Sequence, residues 1–297
     1  MTSAFEPGPV VQRAILISEL QRLRLERGET QDQVAAALDW STSKLIRIEG
    51  GTVGVSTTDL HALLRHYGIP EEEPEVAVLT KLARDARKRG WWSLYKSELS
   101  PAYQQYIGYE SGALVIRSFQ PMVVPGLLQT EDYANALTVE FVESRSYRDV
   151  VVEVRMRRQE EIFSRAEPPE LKVVIDEAVL RRRVGGQVDP GIMPRQLRHM
   201  LQMLEHPYVT IEVIPFSAGA HFGMMGEFTI LEFHDPRLND VLFQENVGRS
   251  ALTVMDRDTR ITDYRAAFEN LRQITVSPED TPAFIEDIIV SMERPAA

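Results

Sequence analysis

Apolar residues recur at helical spacing through the first ninety positions. From Gln12 to Glu26, Ile15, Leu16, Leu20, Leu23 and the stem of Arg24 share one face, and Gly28 ends the pattern. Two shorter patterns follow between Thr30 and Gly50. The first turns Val34, Ala35 and Leu38 inward, the second Leu45 and Ile48. Thr30 and Ser41 are placed to cap them, and Asp39-Trp40 lies between, where an Asp tolerates the left-handed conformation of a sharp reversal. The pair reads as a helix-turn-helix. Thr57 or Thr58 is expected to cap a fourth helix, carrying Leu60, Leu63, Leu64 and Tyr67 before Gly68 and Pro70 stop it. An all-α domain over residues 1–70 is the expectation. His61 and His66 read as surface or boundary residues of its last helix.

Glu71-Glu72-Glu73-Pro74 then reads as a hinge, and Val78, Leu79, Leu82 and Ala86 restore helical spacing, so 71–90 is expected to be a helical linker. Its end, Arg87-Lys88-Arg89, reads as a solvated helix end, with phosphate contact as the other possibility. Beyond Gly90, Ser100 and Pro101 open a helix with Tyr103, Tyr106 and Tyr109, whose spacing favours core packing over base stacking. Phe119 to Thr130 reads as an extended, proline-fixed loop, and Thr130 caps a helix through Leu137. Arg145 to Ser164 is a long helix with Val151, Val154, Ile162 and Phe163 for burial. Its Arg155, Arg157 and Arg158, with Arg165 just beyond, alternate with glutamates as a salt-bridged surface.

Strands are expected at Leu171 to Asp176, Val209 to Ile214, Glu227 to Phe233 and Val241 to Glu245, the last two as antiparallel neighbours. Between them, Glu177 to Arg183 turns helical and Pro194 to Glu205 forms a helix on Leu197, Leu201 and Leu204. Arg257 to Ile274 and Pro278 to Met292 close the chain as helices, the last opened by capping chemistry in Ser277-Pro278-Glu279-Asp280. The fold class expected is α+β overall, with an all-α helix-turn-helix domain before a larger α+β domain over 91–297, its sheet of about three to five strands covered by helices.

Composition narrows the chemistry. With no cysteine among 297 residues, thiolate nucleophiles, disulfides and cysteine-ligated zinc are excluded. MTSAFEPGPV lacks the apolar run of a signal, and no stretch reaches ~18 consecutive apolar residues, so a soluble cytoplasmic protein with no membrane partner is expected. The net charge of −11 disfavours nucleic acid until it is divided: residues 1–90 carry 12 Lys and Arg against 13 Asp and Glu, leaving −10 to the rest. A near-neutral reader must rely on a local basic face, Lys44 and Arg47 with Arg22 or Arg24, which favours a homodimer on a palindromic double-stranded operator.

Within the helix-turn-helix, Ser41 to Glu49 is the expected recognition helix in the major groove. Ser41, Thr42 and Ser43 offer hydroxyls, Arg47 a guanidinium for base edges and Lys44 an ammonium for phosphate. Gln31, opening the preceding helix, would sit near a phosphate. ETQDQVAAALDWSTSKLIRIEGG resembles the helix-turn-helix of the lambda-repressor-like (XRE) domains, which share the Gln, an Ala in the first helix and the closing Ile-Glu-Gly, but often carry Gly where Asp39 stands here.

A second resemblance runs from about Gly90 to Ile289. GWWSLYKSEL, FQPMVVPGLLQTEDYANAL, RMRRQEEIF, VVIDEAVLRRRVGG, QLRHML, VIPFSAGAHFGMMGEFTILEF and VSPEDTPAFI, in that order, resemble the C-terminal domain of unknown function in WhiJ-like regulators of actinomycetes. That resemblance implies a transcriptional regulator, often paired with a small partner protein in an antitoxin-like arrangement, and brings no catalytic residue. In this domain Asp176 and Glu177 at a strand end, Arg181 a turn later and His221 in the glycine-rich loop form the candidate ligand or partner pocket. The bland alternative is that Asp176 caps a helix and pairs with an arginine, while the glycines permit a tight loop. An enzyme fused to a DNA-binding domain would need Asp176, Glu177 or His221 for turnover. Histidine spacings show no HxxxH or HExxH, and no Lys follows the glycines of AGAHFGMMG, so no enzyme, metal or cofactor is expected.

Overall fold

A computed structural model describes residues 7–244 and 260–294. The chain divides into two compact units, Met1–Leu94 with Phe233–Asn239 and Tyr95–Glu232 with Asp240–Ala297.

The first unit contains the helices α1 (Pro9–Glu26), α2 (Gln31–Ala37), α3 (Thr42–Glu49), α4 (Thr57–His66) and α5 (Pro74–Asp85). α1 starts earlier than its apolar pattern because Pro9 presets the first helical φ. α4 is capped by Ser56, whose Oγ accepts from the Asp59 amide at 3.0 Å, and not by Thr57 or Thr58. The first four helices terminate alike, each with a left-handed residue just past its last turn: Gly28, Asp39, Gly51 and Gly68. At every one, the next residue's amide reaches back to the last turn: Glu29 to Arg24 O, Trp40 to Ala35 O, Thr52 to Arg47 O and Ile69 to Leu64 O. Leu20, Val34, Leu45, Ile48, Leu60, Leu63 and Leu79 meet in one core. Because Val76, Leu79 and Ala83 of α5 join it, the helix expected in the linker packs as part of this unit.

The second unit contains α6 (Pro101–Glu110), β1 (Val115–Gln120), α7 (Glu131–Phe141), α8 (Arg145–Phe163), β2 (Glu170–Asp176), α9 (Glu177–Arg181), α10 (Ile192–Met203), β3 (Val209–Ile214), β4 (Phe228–Glu232), β5 (Val241–Phe243), α11 (Arg260–Arg272) and α12 (Thr281–Glu293). The expected Glu245 and the first turn at 257–259 lie outside the described residues. The sheet runs β3-β2-β1-β4-β5, parallel across β3, β2 and β1 and antiparallel across β1, β4 and β5. Phe119 pairs with Val174 on one side and Phe228 on the other, which fixes the register at its centre. These three pack with Ile214, Ile230, Leu242, Phe268 and Leu271, so α11 covers that face. The overall class is α+β.

Four details correct the sequence reading. β1 is the central strand, and its last two residues, Phe119 and Gln120, belong to it and not to the loop that the prolines predict from Phe119 onward. Arg117 and Ser118 interrupt its apolar run, and both are satisfied by distant residues: Arg117 by Glu232 at 2.8 Å and Glu269 at 2.9 Å, Ser118 by the Thr229 hydroxyl at 3.2 Å. Arg158 is not a surface cation. It is buried against Glu110, with Nε and Nη2 donating to the two carboxylate oxygens at 2.9 and 2.6 Å, and it lies over the rings of Tyr103 and Tyr106. The apolar stripe of α10 is Leu197, Met200 and Met203, leaving Leu201 and Leu204 half-buried. Finally, the last helix begins at Thr281 after a turn in which Ser277 Oγ accepts from the Asp280 amide at 3.1 Å.

Candidate nucleic-acid interface

α3 is eight residues long, too short to persist on its own, and the surrounding side chains determine what it presents. Ser41 Oγ accepts the Lys44 amide at 3.3 Å and starts the helix. Leu45 and Ile48 anchor its inner face in the core. At its C-terminal end, the buried Glu49 accepts Nε and Nη2 of Arg24, both at 2.8 Å, and Nε2 of Gln31 at 2.9 Å. The Glu49 carbonyl takes Nε2 of Gln21 at 2.7 Å. At the other end, Lys44 Nζ lies 2.6 Å from Asp59 Oδ1 and 3.7 Å from the Trp40 ring centroid. The helix is thus tied to α1 and α2 at one end and to α4 at the other.

What remains outward is a short strip. Ser43 and Arg47 are exposed and Thr42 is half-buried. Arg47 Nε donates to the Ser43 carbonyl at 3.2 Å, which lays the guanidinium stem along the helix. Ile46 shares the strip at 50% exposure, although the sequence reading had no role for it. The other named residues are placed differently from one another. Gln31 turns its amide to Glu49, Arg24 is held by the same carboxylate, and Arg22 pairs with Glu19 and Glu26. Arg22 and Arg24 therefore do not extend the basic face, and Lys44 is half-buried in its ion pair. Apolar spacing alone does not mark Glu49 as a buried carboxylate; the signal for it is Arg24 on the apolar stripe of α1, because a buried cation needs an anion.

In the second unit, the residues at the end of β2 form two pairs. Asp176 Oδ1 accepts the Ala178 amide at 2.8 Å, capping α9, and Oδ2 lies 3.3 Å from His221 Nε2. Glu177 accepts Arg181 Nε at 2.5 Å and the Phe216 amide at 2.7 Å. Capping, pairing and a loop anchor thus account for both carboxylates. His221 stands edge-on to Phe119, and its buried Nδ1 has no hydrogen-bond partner among the described residues. Gly223 admits this packing because a Cβ there would fall 2.2 Å from the Phe119 ring. Among the described residues, no group of three or more His, Asp or Glu converges as a metal site. Nor is any described helix long and apolar enough to cross a membrane.

Two family models match the sequence. One, described as a helix-turn-helix domain, covers residues 16–77, from α1 into α5. The other, described as a domain of unknown function (DUF5753), covers residues 103–287. No curated protein and no solved structure matches the chain.

Proposed function

The chain belongs to the family described as a domain of unknown function (DUF5753) and carries a helix-turn-helix domain ahead of it, and from this we propose a sequence-specific DNA-binding transcriptional regulator. The observation that carries the proposal is α3 itself. Internal contacts secure it at both ends while Thr42, Ser43 and Arg47 are left on its outer strip. Short hydroxyl side chains followed by a guanidinium suit base edges in a major groove. In this reading the first domain is of the lambda-repressor-like (XRE) kind and the whole chain WhiJ-like. It is a cytoplasmic homodimer on a palindromic site, and the second domain dimerises or senses an effector without catalysing a reaction. Ser41 and Lys44 serve the helix by capping and bracing it, and Arg47 reads.

Capture of genomic fragments by the purified chain, followed by binding at several salt concentrations, tests this. One enriched palindrome is expected, with Arg47→Ala costing about 1–3 kcal/mol at that site. Failure to enrich any sequence would overturn the proposal.

A second reading is favoured by the −10 charge beyond residue 90 and by the exposed Phe216, Phe222, Met224 and Met225 of one loop. There the second domain holds a small basic partner in an antitoxin-like arrangement, and DNA binding serves autoregulation. Co-expression with the product of a neighbouring small reading frame decides it. A stable complex lost on changing Met224 and Met225 to Glu supports this reading, and separate elution of the two proteins removes it.

A further inference from the structure

We propose that Ile46 is a base-reading residue whose side chain packs against the 5-methyl group of a thymine, an inference that rests on the DNA-binding reading above. In α3 the positions i, i+1, i+4 and i+5 fall on one face, here Thr42, Ser43, Ile46 and Arg47. The opposite face sinks Leu45 and Ile48 to 0% and 1% exposure, whereas Ile46 keeps half its surface in water. The core of the first unit has no place for it, because Ile46 points away from the cluster that its neighbours enter.

An isoleucine on this strip can do nothing for a phosphate and nothing for the acceptor and donor edges of bases. The major groove offers one kind of apolar group, the thymine methyl. Ile46 lies in the middle of the strip, flanked by the Ser43 hydroxyl one turn before it and the Arg47 guanidinium beside it. Those two polar groups fix register while the branched aliphatic side chain tests for the methyl. Being β-branched, Ile46 is stiff at χ1 in a helix, so contact costs it little rotamer freedom.

The test uses the full chain and the site recovered from captured genomic fragments. Each thymine is replaced in turn by deoxyuridine, which removes the methyl and leaves base pairing and edge hydrogen bonds intact. We expect one position per half-site where the unmodified protein loses about fourfold in affinity, the factor for one buried methyl group. Ile46→Ala should be insensitive to the same replacement, and Ile46→Val should keep part of the response. Because the side chain is exposed, an unchanged thermal midpoint for Ile46→Ala will show that the fold is intact. If no deoxyuridine replacement affects the unmodified protein, or if Ile46→Ala responds as strongly, the inference is overturned. A recovered site that needs Arg47 but ignores every methyl sinks Ile46 alone. Recovery of no site sinks the regulator reading and this inference with it.

Discussion

Glu49 ends α3 with its carboxylate turned inward, where it accepts three side-chain donors from two other helices. Its side chain is 2% exposed and that of Arg24 12%. Truncating one partner of such a pair strands the other charge, so Arg24→Ala is expected to destabilise the first unit by about 3–5 kcal/mol in chemical unfolding. Replacing both residues with apolar ones of similar size should cost far less. A second acid, Glu29, is linked to His66 Nε2 at 2.7 Å, and that hydrogen bond holds its carboxyl below the usual 4.5. A carboxyl depressed in the folded state contributes stability above its unfolded pKa and loses it as pH falls through the folded value. Stability of the intact protein should therefore decline more steeply below about pH 4.5 than that of His66→Ala, as followed by thermal midpoint against pH. Most of the outward residues of α3 were legible in the sequence, because caps and apolar spacing orient a short helix. Ile46 and the pairing of Lys44 with Asp59 were not, since hydropathy does not say which polar group a cation will meet.

The helix endings carry a consequence for the turn. Three of the four left-handed positions closing α1 to α4 are glycine, and the fourth is Asp39 at φ 54°. Side chains other than glycine's are strained there, Asp less than most. Asp39→Gly is expected to raise the urea midpoint by an amount equivalent to up to about 1 kcal/mol. Asp39→Val should lower it by about 1–2 kcal/mol, since a branched Cβ suits that conformation worst. Local signals of this kind are why the helices of the first unit were readable to within a few residues. β1 was hidden for the opposite reason. Its Arg117 finds Glu269 and its Ser118 finds Thr229 more than a hundred residues along the chain, and a strand completed by distant polar partners has no local pattern. The same holds for Arg158, whose buried partner Glu110 lies on another helix.

At the scale of the whole molecule, charge is unevenly allotted. Residues 1–90 are nearly neutral and the remainder carries −10. Of the four cations expected to form the basic face, Lys44, Arg22 and Arg24 are paired with carboxylates, and Arg47 alone has no carboxylate partner among the described residues. Specific binding should then show a shallow salt dependence, log K against log salt of about −2 to −3 per reader domain, measured by titration from low to physiological salt. A slope nearer −6 would mean that other cations, such as Arg87, Lys88 and Arg89, also meet the phosphate backbone. The second unit's class was readable from strand-like runs and proline breaks. The order of its strands was not, because β1 was needed to join the parallel and antiparallel halves. The side chains that hold α3 in place, Leu45, Ile48, Glu49 and the Lys44–Asp59 pair, are distinct from those it shows to solvent. After gene duplication, Thr42, Ser43, Ile46 and Arg47 are thus free to diverge in two copies without either losing its fold. Sister proteins could come to address different promoters by changes at four codons.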